Sequence, residues 1–498
     1  MFRGCTGLTS APALPATTLA NSCYRDMFYG CAGLTSAPDL PATTLANYCY
    51  YEMFDGCSKL NYIKCLATDI SATNCLSRWV FDVSSTGTFV KSAQMNDWPT
   101  GNSGIPEGWT VVNEGEEQTT TVTASKYLTF SSAGTTTVSL TNEGGNAPVL
   151  YYSTDAQTWT PWDYSELTFT ADAPLYICGD NPEGFNFSNT RNSRFTATGD
   201  FFSVSGDIMS LLNKDSELLI IPNENCFLLL FYQCSRLTSG PSLPATTLQE
   251  ACYKGLFSSC TNLVSSPVLP ATTLAPYCYE DLFYACESLE SAPVLPAETI
   301  LPYCYADMFH GCSHLMAAPS LPATTLAEAC YSQMLFGCSS ITEAPALPVT
   351  TLAPYCYYGM FNGTGITTGP ELPATSLQPH CYEMMFVGCH SLVNAPALPA
   401  TSLAEACYES MFYSCSALTT APELPADVLV DYCYNAMFWA CGNLNYVKCL
   451  ATDISANACT SGWLSDVLSQ GTFVKAANSQ WPTGSSGIPQ GWTVEDAQ

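Results

Sequence analysis

The sequence predicts an α/β repeat solenoid, with one short strand and one short helix per 26 residues and an intervening all-β sandwich-like domain. Three observations carry that expectation. Cysteines alternate in steps of 18 and 8, a period of 26, through positions 5 to 57 and again through 226 to 441. Within each period, apolar residues recur four apart. Between the two runs, from 115 to about 205, the period disappears and alternating β-branched and aromatic residues with turn signals replace it.

One unit reads LTSAPDLPATTLANYCYYEMFDGCSK, residues 34 to 59. Leu34, Ala37 and Leu40 fit a short strand that Pro41 ends; Pro38 cannot donate a ladder hydrogen bond, so the strand is short or irregular there. Leu45, Cys49, Met53 and Cys57 stand at i, i+4, i+8 and i+12, which predicts one helical stripe widened by Tyr50 and Phe54. Thr43 or Thr44 is the candidate N-cap, and Gly56 falls where the helix would end. The same core stripe recurs at Cys278, Leu282 and Cys286, and at Cys407, Met411 and Cys415. Units of this kind describe a leucine-rich solenoid, in which apolar faces are buried only by stacking.

Cysteines eight apart on a helix lie about 12 Å apart along its axis, too far for a bridge within one repeat. Zinc would want short Cys-x-x-Cys spacings and ligands in fours, and neither occurs. The total of 27 is odd, and Thr364 replaces one cysteine while Cys356 stays. Buried reduced thiols acting as small apolar residues are therefore expected, with bridges between neighbouring repeats as the alternative. No metal or cofactor is implied.

The order of residues in "MFxGCxxL" followed by a Leu/Ala/Pro strand, over residues 1 to about 85 and about 215 to 470, resembles the BspA-like leucine-rich repeat proteins of bacterial surfaces. The repeat here is longer, and its "CY" element and "LPATT" turn lie outside the usual pattern. The resemblance implies extracellular display and adhesion to proteins or cell surfaces. Related arrays also look like parts encoded by phages of gut bacteria, so a virion location stays open.

The layout is duplicated. Residues 1–59 form the C-terminal part of a first array, and 60–113 a degenerate last repeat and cap; 114–205 form a small all-β, Ig-like domain, 206–443 a second array, and 444–498 a second degenerate repeat and cap. LNYIKCLATDISATNCLSRWV at 60 to 80 returns as LNYVKCLATDISANACTSGWL at 444 to 464, with Trp79 on the Met position. Trp98, Trp109, Trp481 and Trp492 are expected as cap packing, because terminal repeats must cover an apolar end. In the β-domain, STDAQTW resembles an Asp-box turn, so Asp155 is expected to form a turn rather than act as an acid, and Cys178 to be buried. Leucine or isoleucine marks from Leu237 to Leu444 predict nine strands in the second array, a ladder about 40 Å long. The repeat between Cys356 and Cys381 is one residue short, which predicts a local kink near 364 to 366.

Composition excludes several classes. Net charge is −29, from 43 Asp and Glu against 14 Lys and Arg, which repels phosphate backbones and argues against a nucleic-acid partner. The most apolar stretch, 218 to 231, is broken by Pro222, Asn223, Glu224 and Asn225, so membrane insertion is not expected. No signal peptide is visible; the chain opens inside a repeat, which reads as a truncated array.

No phosphate loop, nucleophile elbow or zinc-protease signature occurs, so no enzyme is expected. His310, His314, His380 and His390 read as surface residues. The position after Met-Phe varies strongly while the framework barely changes, and it carries Tyr29, Tyr284, His310, Phe336, Tyr413 and Trp439. A Tyr-rich mixture with small polar residues suits a rigid binding face, against the plainer reading of surface drift with ring-on-ring packing. The expected function is a non-enzymatic extracellular scaffold recognising a protein or glycan partner. The alternative is a purely structural, self-associating segment of a surface fibre or virion. Should the face lie on the strand side, Asp39, Glu371 and Glu423 mark it.

Overall fold

The structure, a computed structural model, describes every residue except 1, 9–10, 13, 15, 96, 114–125, 144–146, 191, 215–217 and 478. It divides into two compact units, Met1–Thr123 and Ala124–Gln498, each with its own hydrophobic core. The expected domain boundary at 114 lies outside the described residues.

The α/β assignment is overturned: the helix predicted in each repeat is not there. Among the described residues the only helical element is a short 3-10 turn, Ile208–Leu211, and all other named elements are strands. The segment carrying Cys49, Met53 and Cys57 is instead a chain of linked turns in which backbone hydrogen bonds alternate. Cys49, Tyr51, Met53, Asp55 and Cys57 each donate to the carbonyl three residues back, at 3.1–3.4 Å. The residues between them donate to the next repeat: Tyr48 to Thr73, Tyr50 to Cys75, Glu52 to Ser77, Phe54 to Trp79 and Gly56 to Phe81, at 2.8–3.0 Å. Every second N–H that an α-helix would satisfy internally is satisfied by stacking. Tyr48, Glu52 and Gly56 have φ of 57°, 49° and 78°, so a left-handed residue interrupts the chain every fourth position. That conformation costs a residue with a side chain about 1 kcal/mol or more, which the inter-repeat bonds and packing offset. Gly56 therefore closes a turn, not a helix; a side chain there would also meet the Cα of Gly30, one repeat back, at 3.4 Å. Thr44 caps nothing: it pairs in parallel with Asp69 of the following repeat.

A spacing of four brings the apolar pairs Cys49–Tyr50 and Met53–Phe54 to the same side of the linked turns. Cys49, Met53, Cys57, Cys278, Leu282, Cys286, Cys407, Met411 and Cys415 are all fully buried. The adjacent aromatics form columns running through the stack. Tyr253, Tyr279, Tyr305, Tyr331, Tyr357, Tyr382, Tyr408 and Tyr434 stack successively, with centroids 5.9–6.1 Å apart. A phenylalanine column beside it runs from Phe231 to Phe309 and, beyond Leu335, from Phe361 to Phe438.

Among the described residues no cysteine forms a disulfide, and only Cys5 and Cys23 are exposed. The second cysteine of each repeat has a polar role as well. The thiols of Cys57, Cys260, Cys286, Cys312 and Cys338 each donate at 3.1 Å to the phenylalanine carbonyl one repeat back. Thr364 stands in that position with a different bond: its hydroxyl donates within its own repeat, to Phe361 O at 2.8 Å, the carbonyl that also accepts the Cys389 thiol of the next repeat. Native-state alkylation is expected to label Cys5 and Cys23 quickly and the rest only after denaturation, by intact mass. Fast native labelling of most of the 27 would contradict this burial.

In the first unit the cap is a parallel sheet of β1 (Tyr62–Cys65), β2 (Thr88–Lys91) and β3 (Thr110–Asn113). Trp79 stacks on Tyr50 at 6.1 Å and ends the tyrosine column; its indole N–H donates to Gly104 O at 2.8 Å. Trp98 packs on Trp79, and the Trp109 indole donates to Ser84 O.

The second unit begins with β4 (Leu128–Ser132), β5 (Thr136–Asn142), β6 (Leu150–Ser153), β7 (Thr160–Pro161), β8 (Leu167–Phe169), β9 (Leu175–Gly179), β10 (Ser193–Gly199) and β11 (Phe202–Ser205). One sheet has the order β10-β5-β8. The other has β12-β11-β4-β9-β6-β7, where β12 (Leu237–Ser239) is the first strand of the repeats and pairs in parallel with β11. The β-domain thus runs into the array through one continuous core. Phe195 of β10 takes the place of a preceding repeat: its ring stacks on Phe231 at 5.1 Å, and its carbonyl accepts the Cys234 thiol at 3.3 Å. Asp155 accepts from Gln157 N, Thr158 N and the Ser153 hydroxyl at 2.7–2.8 Å, which holds its carboxyl far below its ordinary range and fixes it as a turn former.

At the far end, β13 (Tyr446–Cys449), β14 (Thr472–Lys475) and β15 (Thr493–Asp496) repeat the cap, with Trp463 stacked on Tyr434 and on Trp481. The nine strands expected in this array are not all formed. Between β12 and β13 the repeats pair through isolated parallel bridges such as Ser265↔Ser291 and Thr299↔Thr325, because prolines like Pro267 and Pro270 remove the ladder donors. The expected kink is also absent from the columns. Tyr357 and Tyr382 are 2° from parallel and Phe361 and Phe386 10°, since the missing residue falls in the short link between Thr364 and Ile366.

Candidate binding face

In the linked turns, residues pointing away from the core come in three outward pairs per repeat: the two before the first cysteine, the two after Cys-Tyr and the two after the Phe. Stacking sets equivalent residues of successive repeats in columns. Tyr284, His310 and Phe336 form such a column, with ring centroids 4.6 Å and then 4.3 Å apart. Asn362 and Val387 follow without rings. Tyr413 and Trp439 then form a tilted pair at 6.0 Å, with the Trp439 indole donating to Asp466 at 3.0 Å. Trp439 is exposed and the other four are half-buried. Tyr29 belongs to the first unit, where the Arg3 guanidinium lies 4.4 Å from its ring. These rings pack on one another and still present edges to solvent.

A second aromatic column, at the residue before the first cysteine, carries Tyr277 and Tyr303 at 4.9 Å, and Tyr355 and His380 at 4.4 Å. Sequence reasoning passed over it because "YCY" looks like framework. The signal was there: this position alternates among Tyr277, Tyr303, Ala329, Tyr355, His380, Ala406 and Tyr432 while the cysteine after it is fixed.

Carboxylates line both columns. Burial, then Glu280 and Asp307, push Asp281 up to about 7. His310 Nδ1 lies 2.9 Å from Asp307 Oδ1, and His380 Nδ1 lies 2.5 Å from Glu383 Oε2. These two histidines are half-buried and partnered where the sequence suggested surface residues, whereas His314 and His390 are exposed. Burial raises Glu383 as well, against the lowering contact from His380. Among the described residues no three His, Cys, Asp or Glu side chains converge into a metal site.

On the strand side, Asp39, Glu371 and Glu423 are exposed. Glu423 borders a shallow groove of about 470 Å³ with Pro396, Leu398, Pro399 and Pro422, and Lys448 occupies its carboxylate at 3.0 Å. That groove offers one polar group already paired, while the turn side offers rings and carboxylates together. No helix among the described residues is long and apolar enough to cross a membrane. No known protein family, curated protein or solved structure matches the chain. The fold itself defines it as a stacked-repeat protein built on linked turns.

Proposed function

We propose that this chain is a non-enzymatic recognition scaffold, displayed outside the cell or on a virion, whose turn-side columns bind a protein or glycan partner. The observation that supports it most is the contrast within each repeat. Inward positions scarcely vary, while the outward column changes ring type from Tyr284 to His310 to Phe336 without disturbing the stack. Specificity can therefore change there without loss of the fold. The likeness in residue order to BspA-like surface proteins adds extracellular display to this reading, and the β-domain serves it as an N-terminal cap that starts the second stack.

The test is a pull-down against host-surface proteins and glycans, followed by replacing Tyr284, Tyr413 and Trp439 with Ser. Hot-spot aromatics cost about 2 kcal/mol or more each when removed, so the triple change should abolish detectable binding of the captured partner. Circular dichroism and melting should shift little, because the buried columns are untouched. Unfolding would make these rings packing residues, and unchanged binding would move the face elsewhere.

A further inference from the structure

We propose that the slot above Ala329 binds an arginine side chain of a basic partner protein, with the guanidinium stacked between the rings of Tyr303 and Tyr355; this rests on the turn side being the recognition face. The column before the first cysteine is continuous at Tyr277–Tyr303 and at Tyr355–His380 but lacks a ring at Ala329. Tyr303 and Tyr355 are two rungs apart, about 10 Å, which leaves the thickness of one planar group at stacking distance from both. Buried Ala329 is the floor, and Ser332, Tyr358, His380 and Glu383 complete a groove of about 320 Å³.

Three observations identify the occupant as cationic and planar. The chain fills comparable places with its own cations: the Arg25 guanidinium lies 4.6 Å from the Tyr51 ring, and the Lys254 ammonium lies 5.5 Å from Tyr277 and 2.5 Å from Glu280. From 255 to 447 there are fifteen Asp and Glu and no Lys or Arg, so no lysine or arginine of that stretch serves the slot; the histidine that lines it, His380, is held to Glu383 at 2.5 Å. Carboxylates stand at both sides of it: the Tyr303 hydroxyl lies 3.4 Å from exposed Glu328, and Glu383 lines the groove beside Tyr358. A guanidinium stacks by its two faces and donates from its edge, which an ammonium cannot do.

The test is a fluorescence titration of the full chain with an oligo-arginine peptide, with oligo-lysine and an N-acetylglucosamine oligomer as comparators. Oligo-arginine should bind more tightly than either. Ala329→Tyr should weaken it about tenfold or more, with melting unchanged. Tyr277, Tyr303 and Tyr355 hold φ of 58°, 56° and 55° where Ala329 has 49°, so this backbone accepts tyrosine. Since Ala329→Tyr keeps the net charge, diffuse attraction to an acidic protein cannot produce the difference. Wild-type affinity in Ala329→Tyr, or tighter binding of the sugar oligomer, would overturn the proposal. If Ala329→Tyr does not fold, Tyr355→Ser removes one wall and should weaken the peptide similarly. The triple serine variant at Tyr284, Tyr413 and Trp439 should retain oligo-arginine binding. Loss of a captured partner in that variant, with Ala329→Tyr harmless to the peptide, would defeat the slot while leaving the face in place.

Discussion

Raising the pH above 9 should unfold the repeat stack cooperatively, in a transition far steeper than ordinary proteins show. Thiols ordinarily ionise near 9.0, but burial pushes Cys226, Cys234, Cys330, Cys338, Cys433, Cys441 and Cys449 of the second unit up to about 12. The folded pKa lies above the unfolded one, so this contribution is fully present below pH 9 and is lost as pH rises from 9 through 12. Each such thiol costs about 1.4 kcal/mol per pH unit in that window, so the seven together cost about 10 kcal/mol per unit. That equals the whole stability of a typical domain. Burial also raises the column tyrosines Tyr253, Tyr279 and Tyr434, which steepens the loss further. Under reducing conditions, thiolate absorbance and loss of near-ultraviolet circular dichroism should rise together about one pH unit above 9. Thiolate appearing near pH 9 with the fold intact would show that the cysteines are solvated.

The period, the caps and the burial of the cysteines were legible because each is a matter of which residues recur. The helix was misread because Leu45, Cys49, Met53 and Cys57 satisfy i+4 spacing in two ways. In an α-helix, four residues overshoot a turn by about 40°, so a strict four-residue repeat drifts about 120° from the first mark to the last. Linked turns repeat every four residues without drift. The apolar pairs Cys49–Tyr50 and Met53–Phe54 keep that strict spacing. Left-handed φ at Tyr48 and Glu52 has no marker in side-chain type, and only Gly56 hints at it. The role of the β-domain was also hidden. Nothing in the residues around Phe195 announces that its ring and carbonyl stand in for a missing repeat. On the face, the column containing Tyr284 was legible from variation within the chain, but the slot was not. It arises from one alanine set between tyrosines two repeats apart, which only the register brings into line.

The register also decides what a buried charge should do. Leu282→Asp is expected to collapse several repeats and lower the melting temperature by about 10 °C or more, because the damage is not confined to its own turn. Leu282 is fully buried between Cys278 and Cys286. Replacing it loses the packing of a core leucine, about 2–5 kcal/mol, and demands either a buried carboxylate or its protonation several pH units above its usual range. The backbone then spreads the loss. Tyr253, Gly255, Phe257 and Ser259 of the preceding repeat donate to carbonyls of Cys278, Glu280, Leu282 and Tyr284, at 2.6–3.1 Å. Opening this repeat leaves those donors without partners, and the repeat after it loses the packing surface on its other side. Hydrogen exchange should therefore rise across both neighbours of the substituted repeat, not within it alone. Leu282→Met is the control: Met308 and Met334 fill the same position in later repeats, so that change should cost less than about 1.5 kcal/mol. If Leu282→Asp melts like the parent, the inward stripe is not the core of this stack. If exchange rises only between Cys278 and Cys286, the repeats are stable one by one and the alternating hydrogen bonds do not couple them.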